Sequence, residues 1–145
     1  MSGLKAELQK ILGLDREWTV VLVGFGNLGS ALSRYKGFAR QGFRIVAVVD
    51  DDPAKVGREI DHMPVIASRD MAREIKARGA QIAIVAVPAE SAQTVTDQLV
   101  AAGIKAILNF APARLKVPRD VRLKNVDLSI ELETLSFYLA KGSRS

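Results

Sequence analysis

The sequence predicts a doubly wound α/β fold, in which helices cover both faces of a parallel sheet. Short apolar runs alternate along the chain with segments of helical spacing, and the runs are apolar throughout rather than at every second position. Strands of this kind are typical of a parallel sheet buried on both faces. Because crossovers are right-handed, the carboxyl ends of the strands form one edge, where a ligand can bind.

The predicted elements follow one another in a regular order. A first helix covers residues 2–12, where four apolar residues recur at helical spacing before Gly13. Strands are predicted at 19–24, 44–50, 81–87, 105–111 and 121–128, with a further short strand within 62–68. Helices are predicted at 27–40, 69–78 and 90–103. We therefore expect a linker helix at 1–18, a sheet domain at 19–128, a last helix at 129–141 and a tail at 142–145 that resembles a cloning remnant.

The last helix carries an apolar stripe of its own. Leu128, Leu132, Leu135 and Leu139 recur at spacings of four, three and four. A helix that closes its own sheet and a helix that packs on a partner subunit present the same stripe. The residues alone leave both arrangements open.

Length and composition exclude several classes of protein. The chain has 145 residues, which suits one domain, and its lack of cysteine excludes disulfides and thiol chemistry. No apolar run approaches the ~18 residues of a membrane span, so we expect a cytoplasmic protein with no membrane partner. The net charge of +5 is scattered along the chain, which favours a solvated surface over a nucleic-acid patch.

The segment GFGNLG at 24–29 matches the glycine pattern of dinucleotide-binding turns, directly after a strand and at the start of a helix. Gly24 permits the tight turn, Gly26 lets the backbone approach a pyrophosphate, and Gly29 lets the helix lie close to the strand. Asn27 and Leu28 open the helix, whose unpaired N–H groups would face the phosphates. A tight turn without a ligand is the alternative.

An acidic residue at the end of the second strand strengthens this interpretation. Asp50 is placed to accept hydrogen bonds from an adenosine ribose, and Asp51 and Asp52 follow it. Three carboxylates would repel a 2′-phosphate, which favours NAD(H) over NADP(H). Asp51 and Asp52 also suit a helix cap before Pro53.

The ends of two further strands should lie at the same ligand-binding edge of the sheet. Small residues and prolines there suit a rigid floor under a cofactor, although proline also simply ends strands. The candidate contacts are Val87 and Pro88 after the fourth strand, and Asn109, Phe110, Ala111 and Pro112 after the fifth.

The chain lacks the groups that a dehydrogenase needs. A proton donor or acceptor beside the nicotinamide is commonly His, Lys or Tyr. The single histidine, His62, falls in a loop far from the expected nicotinamide, and the tyrosines are Tyr35 and Tyr138. We therefore expect a chain that binds and senses a dinucleotide and is not an enzyme.

Two long segments resemble the Rex family of bacterial redox-sensing transcriptional repressors. They are GFGNLGSALSRYKGFARQGFRIVAVVDDDPAKVG (24–57) and AGIKAILNFAPARLKVPRDVRLKNVDLSIELETLSF (102–137). The run of AGIKAILNFAP, VP and NVD in that order is more specific than the glycine pattern. The resemblance implies a Rossmann domain that binds NAD(H), preceded in the family by a winged-helix DNA-binding domain.

The resemblance also implies a homodimer that exchanges its C-terminal helices, here residues 129–140. It implies that NADH releases the repressor from DNA, whereas NAD⁺ permits binding. Tyr35 matches a family tyrosine of the switch between ligand states, and Asp127 matches the aspartate that faces it from the other subunit. The leucine stripe would then belong to the dimer interface.

Two departures from the family pattern qualify this expectation. The winged-helix domain is absent, so DNA binding is expected only through a domain outside this chain. Leu128 stands where relatives often carry Phe against the nicotinamide. The alternatives are a fragment of an NAD-dependent oxidoreductase and a CoA-binding Rossmann module.

Overall fold

The computed structural model describes residues 17–126 and residue 139. The predicted first helix, Asp127, Leu128, Leu132 and Leu135 lie outside the described residues. Leu139 is helical, and 75% of its surface is exposed.

Seven strands and four helices make up the described part. The strands are β1 (Trp18–Val23), β2 (Phe43–Val49), β3 (Glu59–Ile60), β4 (Met63–Ile66), β5 (Ile82–Val85), β6 (Ala106–Asn109) and β7 (Arg122–Asn125). The helices are α1 (Asn27–Ser33), α2 (Gly37–Arg40), α3 (Met71–Arg78) and α4 (Ala89–Ala101), with a 3₁₀ turn at Ser68–Asp70 before α3. None of these helices is long and apolar enough to cross a membrane.

The strands form one sheet in the order β3-β4-β2-β1-β5-β6-β7. All neighbouring strands are parallel except the β3–β4 pair, so the predicted doubly wound parallel sheet is confirmed. The chain builds outward from β1 to β4 and then returns to place β5 beside β1. This reversal makes the carboxyl ends of β1 and β5 the place where a ligand is expected in such sheets.

Each face of the sheet carries its own apolar layer. On one face, Met71 of α3 and Leu99 of α4 pack in a cluster that includes Ala83 of β5. On the other face, Leu32 of α1 and Phe38 of α2 pack against a second cluster around the sheet. Successive strand residues point to opposite faces, which is why fully apolar strands were needed.

The predicted helix 27–40 is wrong in its continuity, because residues 34–36 separate α1 from α2. Tyr35 in this break packs edge-on against Phe38, with ring centroids 4.9 Å apart. A Cβ added at Gly37 would overlap the Tyr35 ring, so glycine is required there for this packing. The helical spacing of the sequence continues through residues 34–36, so the sequence did not indicate that the helix is interrupted there.

The β3–β4 hairpin was also missed. Asp61 and His62 form its two-residue turn with φ values of 50° and 67°. Turns of this kind usually contain Asn-Gly or Asp-Gly, so Asp-His is a weak signal. His62 therefore lies in an exposed hairpin turn, and the short strand predicted within 62–68 is confirmed at Met63–Ile66.

Candidate functional site

A crevice of about 500 Å³ lies at the carboxyl edge of the sheet, where the strand order reverses. It is lined by the glycine turn, by the residues after β2 and β5, by two residues of α4 and by the loop after β6. Most of the predicted cofactor contacts lie in this lining, namely Gly24, Gly26, Asn27, Leu28, Asp50, Val87, Pro88, Phe110 and Pro112. Gly29, Asn109 and Ala111 are not part of it.

The glycine turn depends on close backbone packing. Gly24 has a φ of +100°, and a Cβ there would lie 2.5 Å from the carbonyl oxygen of Ala86. A Cβ on Gly29 would overlap the carbonyl of Gly24, so Gly29 sets the closeness of α1 to β1. By contrast, a Cβ on Gly26 would meet nothing within 4 Å. Gly26 therefore leaves open space at the crevice, as its predicted role requires.

Asp50 joins the end of β2 to this turn. Its Oδ2 accepts a hydrogen bond from the Phe25 N–H at 2.9 Å, and its Oδ1 accepts one from the Asp52 N–H at 2.8 Å. Each carboxylate oxygen keeps a second lone pair, so two hydroxyl groups could still donate to Asp50 from the crevice. Asp50 thus has a structural role, and the ribose contact expected of it stays a prediction.

Asp51 and Asp52 accept hydrogen bonds from different parts of the chain. Asp52 Oδ1 accepts the Ala54 N–H at 3.0 Å, but residues 53–57 form a turn and not a helix, so the helix cap expected before Pro53 is wrong. Asp51 does not cap a helix; it accepts the N–H and the hydroxyl of Ser68 at 2.8 and 2.7 Å. These hydrogen bonds from Ser68 hold the pKa of Asp51 below its ordinary value.

Lys55 supports the glycine turn from the other side and was not predicted. Its Nζ donates a hydrogen bond to the Phe25 carbonyl at 2.8 Å and lies 5.8 Å from the centroid of the Phe25 ring. The same ammonium is 3.9 Å from Asp52 Oδ2. Phe25 is therefore held at both its N–H and its carbonyl, and part of the acidic cluster is balanced.

Asn109 shapes the loop after β6 from beneath. The residue is 1% exposed, and its Oδ1 accepts the Ala111 N–H at 2.9 Å. Its Nδ2 lies within 3.3 Å of the Ala111 and Ala113 carbonyls and donates to Asn125 Oδ1 at 3.0 Å. With its amide satisfied in this way, Asn109 positions Phe110 and Pro112 and does not itself face the crevice.

Gln93 of α4 fixes the far end of the same loop, which sequence reasoning also missed. Its Oε1 accepts the Lys116 N–H at 2.9 Å, and its Nε2 donates to the Lys116 carbonyl at 3.0 Å. Asp97 Oδ1 accepts from the same Nε2 at 2.8 Å. A neighbouring part of α4 lines the crevice with Ser91 and Val95. One side chain thus ties the loop to the helix that forms the crevice wall.

Tyr35 lies outside the crevice lining, and 59% of its surface is exposed. Its predicted partner, Asp127, is not among the described residues, so the switch assignment stays a prediction. Within residues 17–126, no group of three His, Asp or Glu side chains could hold a metal ion.

The comparisons with known proteins agree with this architecture. The family described as "CoA binding domain" matches residues 15–113. The redox-sensing transcriptional repressor Rex of Syntrophomonas wolfei is 49% identical over 137 residues, which cover 94% of this chain and 65% of that protein. The chain therefore spans just under two-thirds of that relative.

Solved structures of a Rex-family repressor called RSP give the same result. Its complex with β-NADH superposes with a TM-score of 0.86 at 39% identity, covering 98% of this chain and 69% of that one. Its complex with β-NAD⁺ and operator DNA also gives 0.86 at 39% identity, with 98% and 65% coverage. These matches confirm the family predicted from the sequence.

The Asp51–Ser68 pair predicts a pH-dependent contribution to stability. Because the pKa of Asp51 is depressed, its contribution is present above the ordinary carboxyl pKa of ~3.9 and is lost as pH falls through the folded-state value. We expect Ser68→Ala to be less stable than the parent at pH 6, with a difference that shrinks below about pH 4. Urea unfolding across this range measures it, with the exposed Ser91→Ala as control; a pH-independent difference would contradict the assignment.

Gln93→Ala should loosen the loop that carries Phe110 and Pro112. The substitution removes two hydrogen bonds to the Lys116 backbone in an exposed position, so we expect a loss of about 1 kcal/mol in unfolding free energy. Amide exchange at Lys116 should accelerate at the same time. Gln98→Ala, exposed on the same helix, is the matched control and should change neither quantity.

Proposed function

Because the chain belongs to the Rex family of redox-sensing transcriptional repressors, we propose that it is the NAD(H)-sensing and dimerising part of such a repressor. The relatives it matches are named as repressors and not as enzymes. In this proposal, the chain corresponds to the part of these relatives that carries the Rossmann fold. DNA would be bound through a winged-helix domain outside this chain, and such a protein would act in the cytoplasm.

The observation that carries the proposal is the position of Asp50 in the crevice. The carboxylate stands beside the glycine turn with acceptor capacity left on both oxygens. A dinucleotide laid across the switch point would place its pyrophosphate at Gly26 and its adenosine ribose at Asp50. The nicotinamide would then lie toward Phe110 and Pro112, on the other side of the crevice.

The same carboxylates set the choice among adenine cofactors. Asp50 and Asp51 line the crevice, and Asp52 lies beside them, so a 2′-phosphate on the ribose would meet concentrated negative charge. The description of the matching family as a CoA-binding domain makes CoA the second candidate. CoA carries a phosphate on its adenosine ribose as well, and the same repulsion disfavours it.

A dimer formed through residues 129–140 is the remaining part of the proposal. Leu139 is helical and 75% exposed, although leucine is ordinarily buried. A partner subunit would cover this side chain. Tyr35, exposed beside the glycine-turn helix, would then respond to the bound cofactor by pairing with Asp127 of a second copy.

Asp50→Ala should weaken NADH binding about 10- to 100-fold, because hydrogen bonds to a charged acceptor contribute about 1.5–3 kcal/mol. NADPH binding, already weak in the parent, should change less, so discrimination between the two should shrink. Calorimetric titration with NADH, NAD⁺, NADPH and CoA measures these affinities. Asp52→Asn, which alters charge outside the crevice lining, is the matched control.

The titration also separates the candidates. NADH bound much more tightly than NAD⁺ supports a redox sensor. Equal affinities for the two would contradict sensing by this domain, and tighter binding of CoA than of NADH would favour the second candidate. Thermal unfolding of the Asp50 variant must accompany the titration, because Asp50 also holds the Phe25 N–H.

Removal of residues 129–145 should convert a dimer into a monomer. The expected cause is loss of the apolar stripe that includes Leu132, Leu135 and Leu139. Light scattering of the full chain and of the shortened chain measures the mass. Removal of residues 142–145 alone is the control and should leave the dimer intact; a dimer that survives the longer deletion would rule out the exchanged helix.

A further inference from the structure

An apolar groove of about 470 Å³ runs across the sheet face opposite α3 and α4. Its floor includes Ile45 of β2, Ile82 and Ile84 of β5, and Ala106 and Leu108 of β6. The helices α1 and α2 on this face contact β1 and β2. The floor over β5 and β6 extends beyond them, and soluble proteins seldom leave such a surface to water.

We propose that this groove binds the N-terminal segment of the same chain, residues 2–12. In this segment Leu4, Leu8, Ile11 and Leu12 form one apolar stripe at helical spacing. The proposal concerns a surface away from the cofactor crevice and does not depend on cofactor binding.

The position of the groove favours the N-terminal segment. The groove is lined by the first residue of four strands, which are Phe43, Ile82, Ala106 and Arg122. It therefore lies toward the amino edge of the sheet, where the chain enters β1 at Trp18. A second cavity at that edge is lined by Trp18 and shares Phe43, Ile82 and Ala106 with the groove. A continuous surface thus leads from the entry point into the groove.

The dimensions agree with this occupant. A helix of eleven residues is about 16 Å long at ~1.5 Å per residue. The groove spans β2, β1, β5, β6 and β7, and four strand spacings of ~4.8 Å amount to about 19 Å. Residues 13–17 can reach about 17 Å when extended, and Gly13 allows the chain to reverse. The segment can therefore fold back over the face without strain.

The C-terminal segment is the competing occupant. Arg122 and Lys124 pair in register with Ala106 and Leu108, so their side chains share the groove face and present positive charge. Residues 128–140 carry two glutamates that could meet them, whereas residues 2–12 carry Glu7 alone. However, β7 ends at Asn125 on the carboxyl edge, away from the amino-edge end of the groove. The position of the groove at the amino edge therefore decides in favour of the N-terminal segment, because the exposed charges are screened by salt.

Cysteine cross-linking tests the proposal cleanly because the chain has no native cysteine. Leu8→Cys would be combined with Ala106→Cys in the groove floor, and in the control with Ala101→Cys, which is exposed on α4 at the opposite face. A third pair, Leu132→Cys with Ala106→Cys, represents the competing segment. Mixing light and heavy isotope-labelled chains distinguishes cross-links within a chain from those between chains.

We expect the Leu8–Ala106 pair to cross-link within one chain at least ten times faster than the Leu8–Ala101 pair. Cross-linking between chains, faster reaction of the Leu132–Ala106 pair, or equal rates for the groove and control pairs would each overturn the proposal.

A second measurement does not depend on cysteine chemistry. Leu8→Lys with Ile11→Lys in the full chain should increase binding of a fluorescent apolar dye several-fold and accelerate amide exchange in β6. Lys5→Ala with Lys10→Ala, which spares the stripe, is the control. Dye binding and exchange that match the control would overturn the proposal, and NADH affinity measured alongside reports separately on the crevice.

Discussion

The close approach of three backbone segments at the end of β1 is the constraint on which the site depends. Gly24 lies against the Ala86 carbonyl after β5, and Gly29 lies against the Gly24 carbonyl at the start of α1. No side chain larger than hydrogen fits at either place, so these contacts fix how near α1 and β5 come to β1. The opening at Gly26 exists because its neighbours are packed this tightly.

The acidic cluster after β2 is stabilised by the backbone rather than by cations alone. Asp50, Asp51 and Asp52 each accept at least one backbone N–H, from Asp52 and Phe25, from Ser68 and from Ala54 respectively. These hydrogen bonds disperse like charges that would otherwise repel one another. They also orient the Asp50 carboxylate toward the turn, which makes an acidic crevice compatible with a stable fold.

The sequence predicted those parts of the site that depend on local pattern. The glycine turn and Asp50 each follow an apolar strand, and the topology of a parallel sheet brings them together. Lys55 and Gln93 escaped prediction because their partners lie 30 and 23 positions away and only the fold selects them. Asn109 was predicted as a cofactor contact, but its hydrogen bond to Asn125, 16 positions away, was not foreseen. The break at Tyr35 and the Asp61–His62 turn were missed because their residue types only weakly indicate the backbone conformations found there.

In the proposed orientation, discrimination between the two redox states must come from the nicotinamide end of the crevice. The oxidised ring carries a positive charge that the reduced ring lacks. The carboxylates after β2 lie three strand spacings from the loop after β6, about 14 Å, which exceeds the ~8 Å screening length at physiological salt. They therefore contribute little attraction to a cationic ring beside Phe110 and Pro112.

Desolvation then decides which ring is preferred. Val87, Pro88, Val95, Phe110 and Pro112 give the crevice an apolar character at that end, and burial there without a counter-charge disfavours the cation. In the proposed function, a preference for NADH would grow as water is excluded, so it would depend on how firmly Asn109 and Gln93 hold the loop in place. If the chain has the proposed function, this loop, tethered at both ends, would be the part of the structure that turns dinucleotide binding into redox sensing.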